Sequence, residues 1–357
     1  MILKSDKPNE LADPLKENIL PKFAIKLGIT HHSPTQATQP DGSWLFKYLF
    51  LTQEQRRLLP SNAQMKAGVA VNNILQKFYA DTIWNFGPQR KLQPNKNILK
   101  GKTKEELITS EVDEYKLYVP NDEKDRSKFE KYQSEIVEVA NHGFSALENI
   151  GGADLGPIVC EEMINITQDL SSLLCSVVGR TDFTFSGVSS NASGQGSSDR
   201  SFPSLIVELK TSWSKLGKLK KDGTRSFIVS SLPSAPSYTH LLQCSYYAAK
   251  YDFKVPVKLV YLTVKGHQTF SQDNCIDLTP DALRRHFNNM CNIFRRRELI
   301  LSQFEDEDKY SIISKAAEFI DPNFDHPYCW HNIGDENLRR AKQFSIPIFF
   351  TILLLKN

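Results

Sequence analysis

The chain has 357 residues, of which 40% are hydrophobic and 24% charged, the balance of an ordinary soluble globular protein. That length supports one large domain or two modest ones around a sizeable core. A formal net charge of only +3 excludes a globally basic nucleic-acid binder, so any such face must be local.

Six cysteines, at positions 160, 175, 244, 275, 291 and 329, are scattered without close pairs. This suits reduced, buried thiols in a cytosolic protein better than a disulfide framework. The first ten residues lack the apolar run of a signal peptide and carry acids, so a cytoplasmic, non-secreted protein is expected.

In chain order, residues 1–61 read as an N-terminal extension of proline-containing and polar clusters, with loops and short helices. Here the adjacent His31 and His32 read as surface histidines. A core follows at 62–275. Residues 67–81 have helical periodicity, with Val71, Leu75, Phe78 and Thr82 on the inner stripe. Residues 86–125 look like an insertion, with Thr103 and Glu106 forming a capping box. A longer helix is predicted over 126–150, ended by Gly151 and Gly152.

Three strands are then predicted. The first, 157–166, carries Glu161 and Glu162; the second, 173–185, carries Gly179 and Asp182. A polar, glycine- and serine-rich hairpin loop separates the second from the third, and no Gly-Lys-Ser/Thr phosphate loop is present in it. The third strand, 204–212, is built on Leu205, Ile206 and Val207 and ends in Glu208 and Lys210. Residues i and i+2 of a strand share a face, so this carboxylate and ammonium project side by side. Burying both is costly without partners, a metal or a reaction.

Downstream lies a basic run with Lys215, Lys218, Lys220, Lys221 and Arg225, close to Trp213. It reads either as a solvated turn or, favoured by its place beside the third strand, as a phosphate-tracking strip with an indole available to stack on a base. Residues 240–251 read as a helix on which Gln243 and Tyr247, four apart, stack on one face. A buried strand is predicted over 255–265. The C-terminal region, 276–357, begins with a helix opened by Pro280 and carrying Arg284, Arg285, Arg295, Arg296 and Arg297, either a DNA-facing helix or a charged outer face. His326, Cys329 and His331 group three possible zinc ligands without an evident fourth, which favours a structural role over a zinc site. The apolar stretch 346–355 is far short of the ~20 residues of a membrane span and reads as a buried strand; no membrane partner is expected.

The order Glu, Gly-x-x-Asp, Glu-x-Lys and Gln-x-x-x-Tyr, on Glu161 or Glu162, Gly179 to Asp182, Glu208 to Lys210 and Gln243 to Tyr247, resembles the PD-(D/E)XK nuclease superfamily and its RecB-like branch. The resemblance covers roughly a third of the chain. Within the branch it is most similar to phage-type exonucleases and the mitochondrial genome maintenance exonuclease group. It implies an α/β fold: a mixed central sheet flanked by helices, here with helical additions at both ends. It also implies metal-dependent DNA exonuclease activity from DNA ends, often single-stranded ones, in replication, recombination or repair. Endonucleases and junction resolvases share the core, and a non-catalytic nucleic-acid-binding protein is the other alternative.

The implied catalytic set is Asp182, Glu208, Lys210, Gln243 and Tyr247. Asp182, Glu208 and the Leu209 carbonyl would hold Mg²⁺ or Mn²⁺, which favour hard oxygen ligands. Adjacent strand residues face opposite ways, so only one of Glu161 and Glu162 can join them, and Glu162 is taken. Arg180, Trp213, Lys215, Lys218, Lys220 and Lys221 are the candidate DNA contacts. Gly68 and the helix around it match the branch's first motif, but Asn72 stands where histidine is usual. Some relatives carry an iron–sulfur cluster on four cysteines; no closely spaced cysteine group supports one here.

Overall fold

The computed structural model describes residues 20–39, 44, 62–86, 92–151, 156–186, 203–219 and 225–308, with 311, 312, 315 and 339. Lys220, Lys221, the glycine- and serine-rich loop, the group His326, Cys329 and His331, and the apolar stretch 346–355 lie outside the described residues.

Seven strands form a mixed sheet in the order β11-β10-β7-β6-β3-β1-β2. They are β1 (Thr82–Phe86), β2 (Leu92–Lys96), β3 (Ile158–Cys160), β6 (Phe183–Ser186), β7 (Pro203–Thr211), β10 (Val257–Thr263) and β11 (Gly266–Phe270). β7 runs parallel to β10 and β1 parallel to β3, and the other neighbours are antiparallel. Two small antiparallel ribbons stand apart, β4 (Met163–Ile166) with β5 (Val177–Arg180), linked through the short helix α5 (Gln168–Ser171), and β8 (Lys215–Leu219) with β9 (Arg225–Ile228).

Helices cover both faces. Alternation along β7 divides the core: Leu205, Val207 and Leu209 enter one apolar cluster, and Ile206 enters the other. The first cluster is shared with α2 (Ala63–Tyr79), α3 (Lys104–Lys116) and α4 (Glu123–Ile150), the second with α6 (Tyr238–Lys250) and α7 (Pro280–Ser302). α2 and α4 cross closely where Gly143 lies against Leu75; a Cβ there would sit 2.6 Å from its Cδ1. The Thr103 capping box opens α3, with both reciprocal hydrogen bonds present. Gly151, at φ 124°, closes α4.

The strands predicted over 157–166 and 173–185 are each broken in two. The first turns at Glu161, a non-glycine residue at φ 55°. The second turns at Thr181 and Asp182, between β5 and β6. One half of each joins the main sheet and the other halves pair as the β4–β5 ribbon. The two acids therefore sit at corners, not within strands. The 86–125 stretch includes β2, which with β1 extends the sheet at one edge; Pro94 is tolerated there because the outermost strand has an unpaired side.

Residues 20–39 are integrated into the α7 face. They include α1 (Lys22–Leu27) and a 3₁₀ turn at Pro34–Thr38. His32, expected at the surface, is fully buried: its Nε2 meets the Glu298 carboxylate at 2.9 Å and its ring stacks on Phe294. Glu298 also accepts the backbone N–H groups of Leu174 and Cys175, both at 2.8 Å. Arg297, one of the arginines offered as DNA-facing, is buried and donates to the Gln36 and Gln39 carbonyls. Arg284, Arg285 and Arg296 of the same helix are exposed. Among the described residues no helix is long and apolar enough to cross a membrane.

Candidate active site

Glu208 and Lys210 share the parity of Ile206, so they project from β7 toward α6. β7 and β10 are parallel neighbours joined through α6, and the pair lies toward the carboxyl end of β7, where open α/β sheets commonly place ligands. The Ser237 side chain caps α6 by accepting from His240 N–H, and spacing then stacks Gln243 over Tyr247.

The contacts form one chain. Lys210 Nζ donates to Glu208 Oε1 at 2.5 Å and to Gln243 Oε1 at 2.9 Å. Gln243 Nε2 donates to the Tyr247 hydroxyl at 2.7 Å, which donates to the Arg180 carbonyl at 2.6 Å. Arg180 closes β5, two residues before Asp182. One line of hydrogen bonds thus ties helix α6 to the corner carrying the second acid. Tyr246 reinforces that corner, its hydroxyl donating to the Ile164 and Val177 carbonyls across the β4–β5 ribbon. Gly179 makes room for this ring: a Cβ there would lie 3.0 Å from Tyr246 Cε1.

Asp182 Oδ2 accepts Leu209 N–H at 2.7 Å. The N–H and C=O of a strand residue point to the same edge, so the Leu209 carbonyl also faces the Asp182 side. Burial, then the Glu208 carboxylate, pushes the Asp182 carboxyl well above its ordinary range; Lys210 and the Leu209 N–H pull the other way, and Glu161 adds to the rise. For Lys210, burial disfavours the ammonium, but Glu208 and Asp182 outweigh it and hold its pKa above the usual value. Glu208 is 1% exposed, and its Oε2 is buried without a hydrogen-bond partner. An orphaned carboxylate oxygen beside a second acid is a costly arrangement in a stable fold, and a cation would relieve it.

Glu162, taken as the additional carboxylate, does not join this group. The left-handed turn at Glu161 ends β3, so strand alternation no longer decides which acid faces inward. The Glu162 carboxyl instead bonds Thr184 and lies in the field of Lys250, while burial pushes its pKa up. Glu161 takes the inner place: it contributes to the field on Asp182, accepts from Gln76 Nε2 at 2.8 Å and pairs with Arg180 at 3.7 Å.

Trp213 is also corrected. It is 2% exposed, packs on Tyr132 with ring centroids 5.2 Å apart and donates to Thr211 Oγ1, so it has no face to offer a base. Lys215 and Lys218 are exposed on β8, one strand of a two-stranded ribbon.

Two side chains escaped the sequence reading, Gln76 and His240. Gln76 lies four residues beyond Asn72, which lies four beyond Gly68, so the three form one stripe of α2. Gly68 lets that helix approach β7; its Cβ would be 3.0 Å from Thr211 Oγ1. Asn72 Oδ1 is buried without a hydrogen-bond partner. His240, in the first turn of α6, places Nδ1 2.8 Å from the Tyr261 hydroxyl; burial, then Lys210, lowers its pKa to about 4. Neither Gln76 nor His240 belongs to a motif, but the stripe of four-residue steps was legible for Gln76.

No family model, curated protein or solved structure matches this chain.

Proposed function

We propose that the protein is a metal-dependent deoxyribonuclease of the PD-(D/E)XK type, acting as an exonuclease at DNA ends. The observation that carries this reading is the meeting of Asp182, from the corner before β6, with Glu208 and Lys210 of the neighbouring β7, and with Glu208 Oε2 left without a partner. These oxygens, with the Leu209 carbonyl and Glu161, make the hard donor set that Mg²⁺ or Mn²⁺ takes. When bound, such an ion relieves charge at the phosphoryl group and makes water a better nucleophile.

The chain's own residues do the rest. Glu208 and Gln243 hold the Lys210 ammonium in place, where it orients the attacking water or neutralises phosphate charge. Tyr247 fixes the Gln243 amide so that its oxygen faces Lys210. The exposed Lys215 and Lys218 track phosphates outside the site.

A second reading is a nucleic-acid-binding protein on the same core without catalysis. Asn72 favours it, because it stands where the first motif of the resembled branch has histidine. Digestion of end-labelled linear and circular DNA with Mg²⁺, Mn²⁺ or chelator separates the two. Metal-dependent loss of linear DNA alone supports the exonuclease. Cutting of circles indicates an endonuclease, and binding without cleavage under any metal supports the second reading.

A further inference from the structure

A cavity of about 450 Å³ opens beside Glu161 and Arg180, between α2 and the β1–β2 edge. Its size falls within the ~300–1,000 Å³ of ligand pockets. It adjoins the candidate active site through those two residues, yet the chemistry proposed above does not use the rest of it.

The lining combines three kinds of surface. Trp84 and Ile83 of β1, Val69 of α2 and Ile98 after β2 are apolar, and Val69 and Ile98 are 55% and 90% exposed. Exposed apolar side chains gathered at the rim of a polar cavity mark a place where something apolar is covered. Among the amides, Asn73 is engaged by Glu111 and Asn97 by the Lys77 and Ala80 carbonyls, so these two are structural. Asn72 differs: the residue lines the cavity, and its Oδ1 is buried without a hydrogen-bond partner, which calls for a donor. Lys96, exposed at the end of β2, adds a cation on the same wall.

A flat apolar body with polar edges and a linked anion meets all three demands. We infer that this cavity receives an unpaired nucleobase of the substrate strand next to the cleaved phosphate, with Trp84 as its stacking surface. The inference rests on the nuclease reading and narrows it: the substrate end is single-stranded there, because a paired base cannot enter. Aromatic stacking tolerates any base, so the site selects strandedness and not sequence. Lys96 takes the neighbouring phosphate, and Asn72 accepts from an amino or hydroxyl donor of the nucleotide.

The test uses the whole chain and a short single-stranded oligonucleotide ending in 2-aminopurine, in chelator so that no hydrolysis occurs. Wild type is expected to quench the terminal fluorophore. Trp84→Ala is expected to lose the quench and bind about 5- to 150-fold more weakly, the range of one base stacked on one aromatic ring. Trp84→Phe, which keeps an aromatic face, is expected to restore most of both and guards against a folding defect. An oligonucleotide with an abasic terminus should bind wild type and Trp84→Ala alike. In Mg²⁺, Trp84→Ala should raise KM with little change in kcat. Equal quenching and affinity for wild type and Trp84→Ala overturn the inference. If wild type binds and quenches but never cleaves, the nuclease reading fails and the base pocket stands; if it cleaves while Trp84→Ala behaves as wild type, the pocket fails and the nuclease stands.

Discussion

Replacing Asp182 by Asn should stabilise the metal-free protein and abolish its response to metal. The carboxylate is held beside Glu208, and burial together with that neighbour raises its pKa far above the ordinary 3.8. A raised folded-state pKa contributes stability that is fully present below the unfolded value and lost as pH rises through the folded one. At pH 8, far above the unfolded value, the Asp182 carboxyl is therefore a net liability, while Asn keeps the carbonyl oxygen that accepts Leu209 N–H at 2.7 Å. In chelator the variant should melt above wild type at pH 8, and the gap should close as pH falls toward 4. A ligand at 100 times its dissociation constant adds about 2.7 kcal/mol to the folded state. At roughly 2 °C per kcal/mol for a large domain, saturating Mg²⁺ or Mn²⁺ should raise the wild-type Tm by about 5 °C. Asp182→Asn should shift far less, so the order of the two melting points inverts on adding metal. Calorimetric or fluorescence melts at two pH values, with and without metal, decide it. A variant that melts lower in chelator, or equal metal shifts for both proteins, refutes the reasoning.

Lys210→Met keeps the apolar stem and removes the ammonium that Glu208 and Gln243 hold; turnover should fall about 10²- to 10⁴-fold with DNA affinity much less affected, and normal cleavage at saturation would make Lys210 a binding residue only. Lys215→Ala with Lys218→Ala should reduce the log–log salt slope of DNA binding by about 2, one per lost phosphate contact; an unchanged slope would leave β8 as a solvated ribbon. His240, with its pKa lowered to about 4, contributes stability that is present above pH 6.5 and lost as pH falls toward 4. His240→Gln should flatten that decline by at most about 3 kcal/mol in urea titrations, and identical pH profiles would count against the assignment.

The α/β class and the mixed sheet flanked by helices were legible because β7, α6 and β10 carry unambiguous periodicity. β7 alternates between two cores, and its parity alone places Glu208 with Lys210. What escaped were features set by tertiary structure. A left-handed residue at Glu161 is invisible in a run that reads as one strand, so the choice between Glu161 and Glu162 followed an alternation that the turn cancels. β2, with Gln93, Pro94 and Asn95, is too polar to announce itself and survives as a strand because it lies at the sheet's edge. Trp213 stood among lysines in the sequence, yet Tyr132 draws it into the core. Chemical type alone could not say that His32 and Arg297 would be buried, since each depends on a partner far along the chain.

That distance has a consequence for how the protein is made. His32 and Glu298 are 266 positions apart. At about 5–20 residues per second, a ribosome needs roughly 13 to 53 s to deliver the partner after the histidine has emerged. Through that interval Gln36 and Gln39 lack the guanidinium that binds their carbonyls, and the 20–39 segment has no α7 surface to close on. The sheet face under α2 and α4 can assemble first, from residues ending at Leu262. The opposite face, which frames Gln243 and Tyr247, is completed last. The nascent chain therefore carries Asp182, Glu208 and Lys210, from the time Lys210 emerges until α7 is complete at Ser302, without the packing that aligns them.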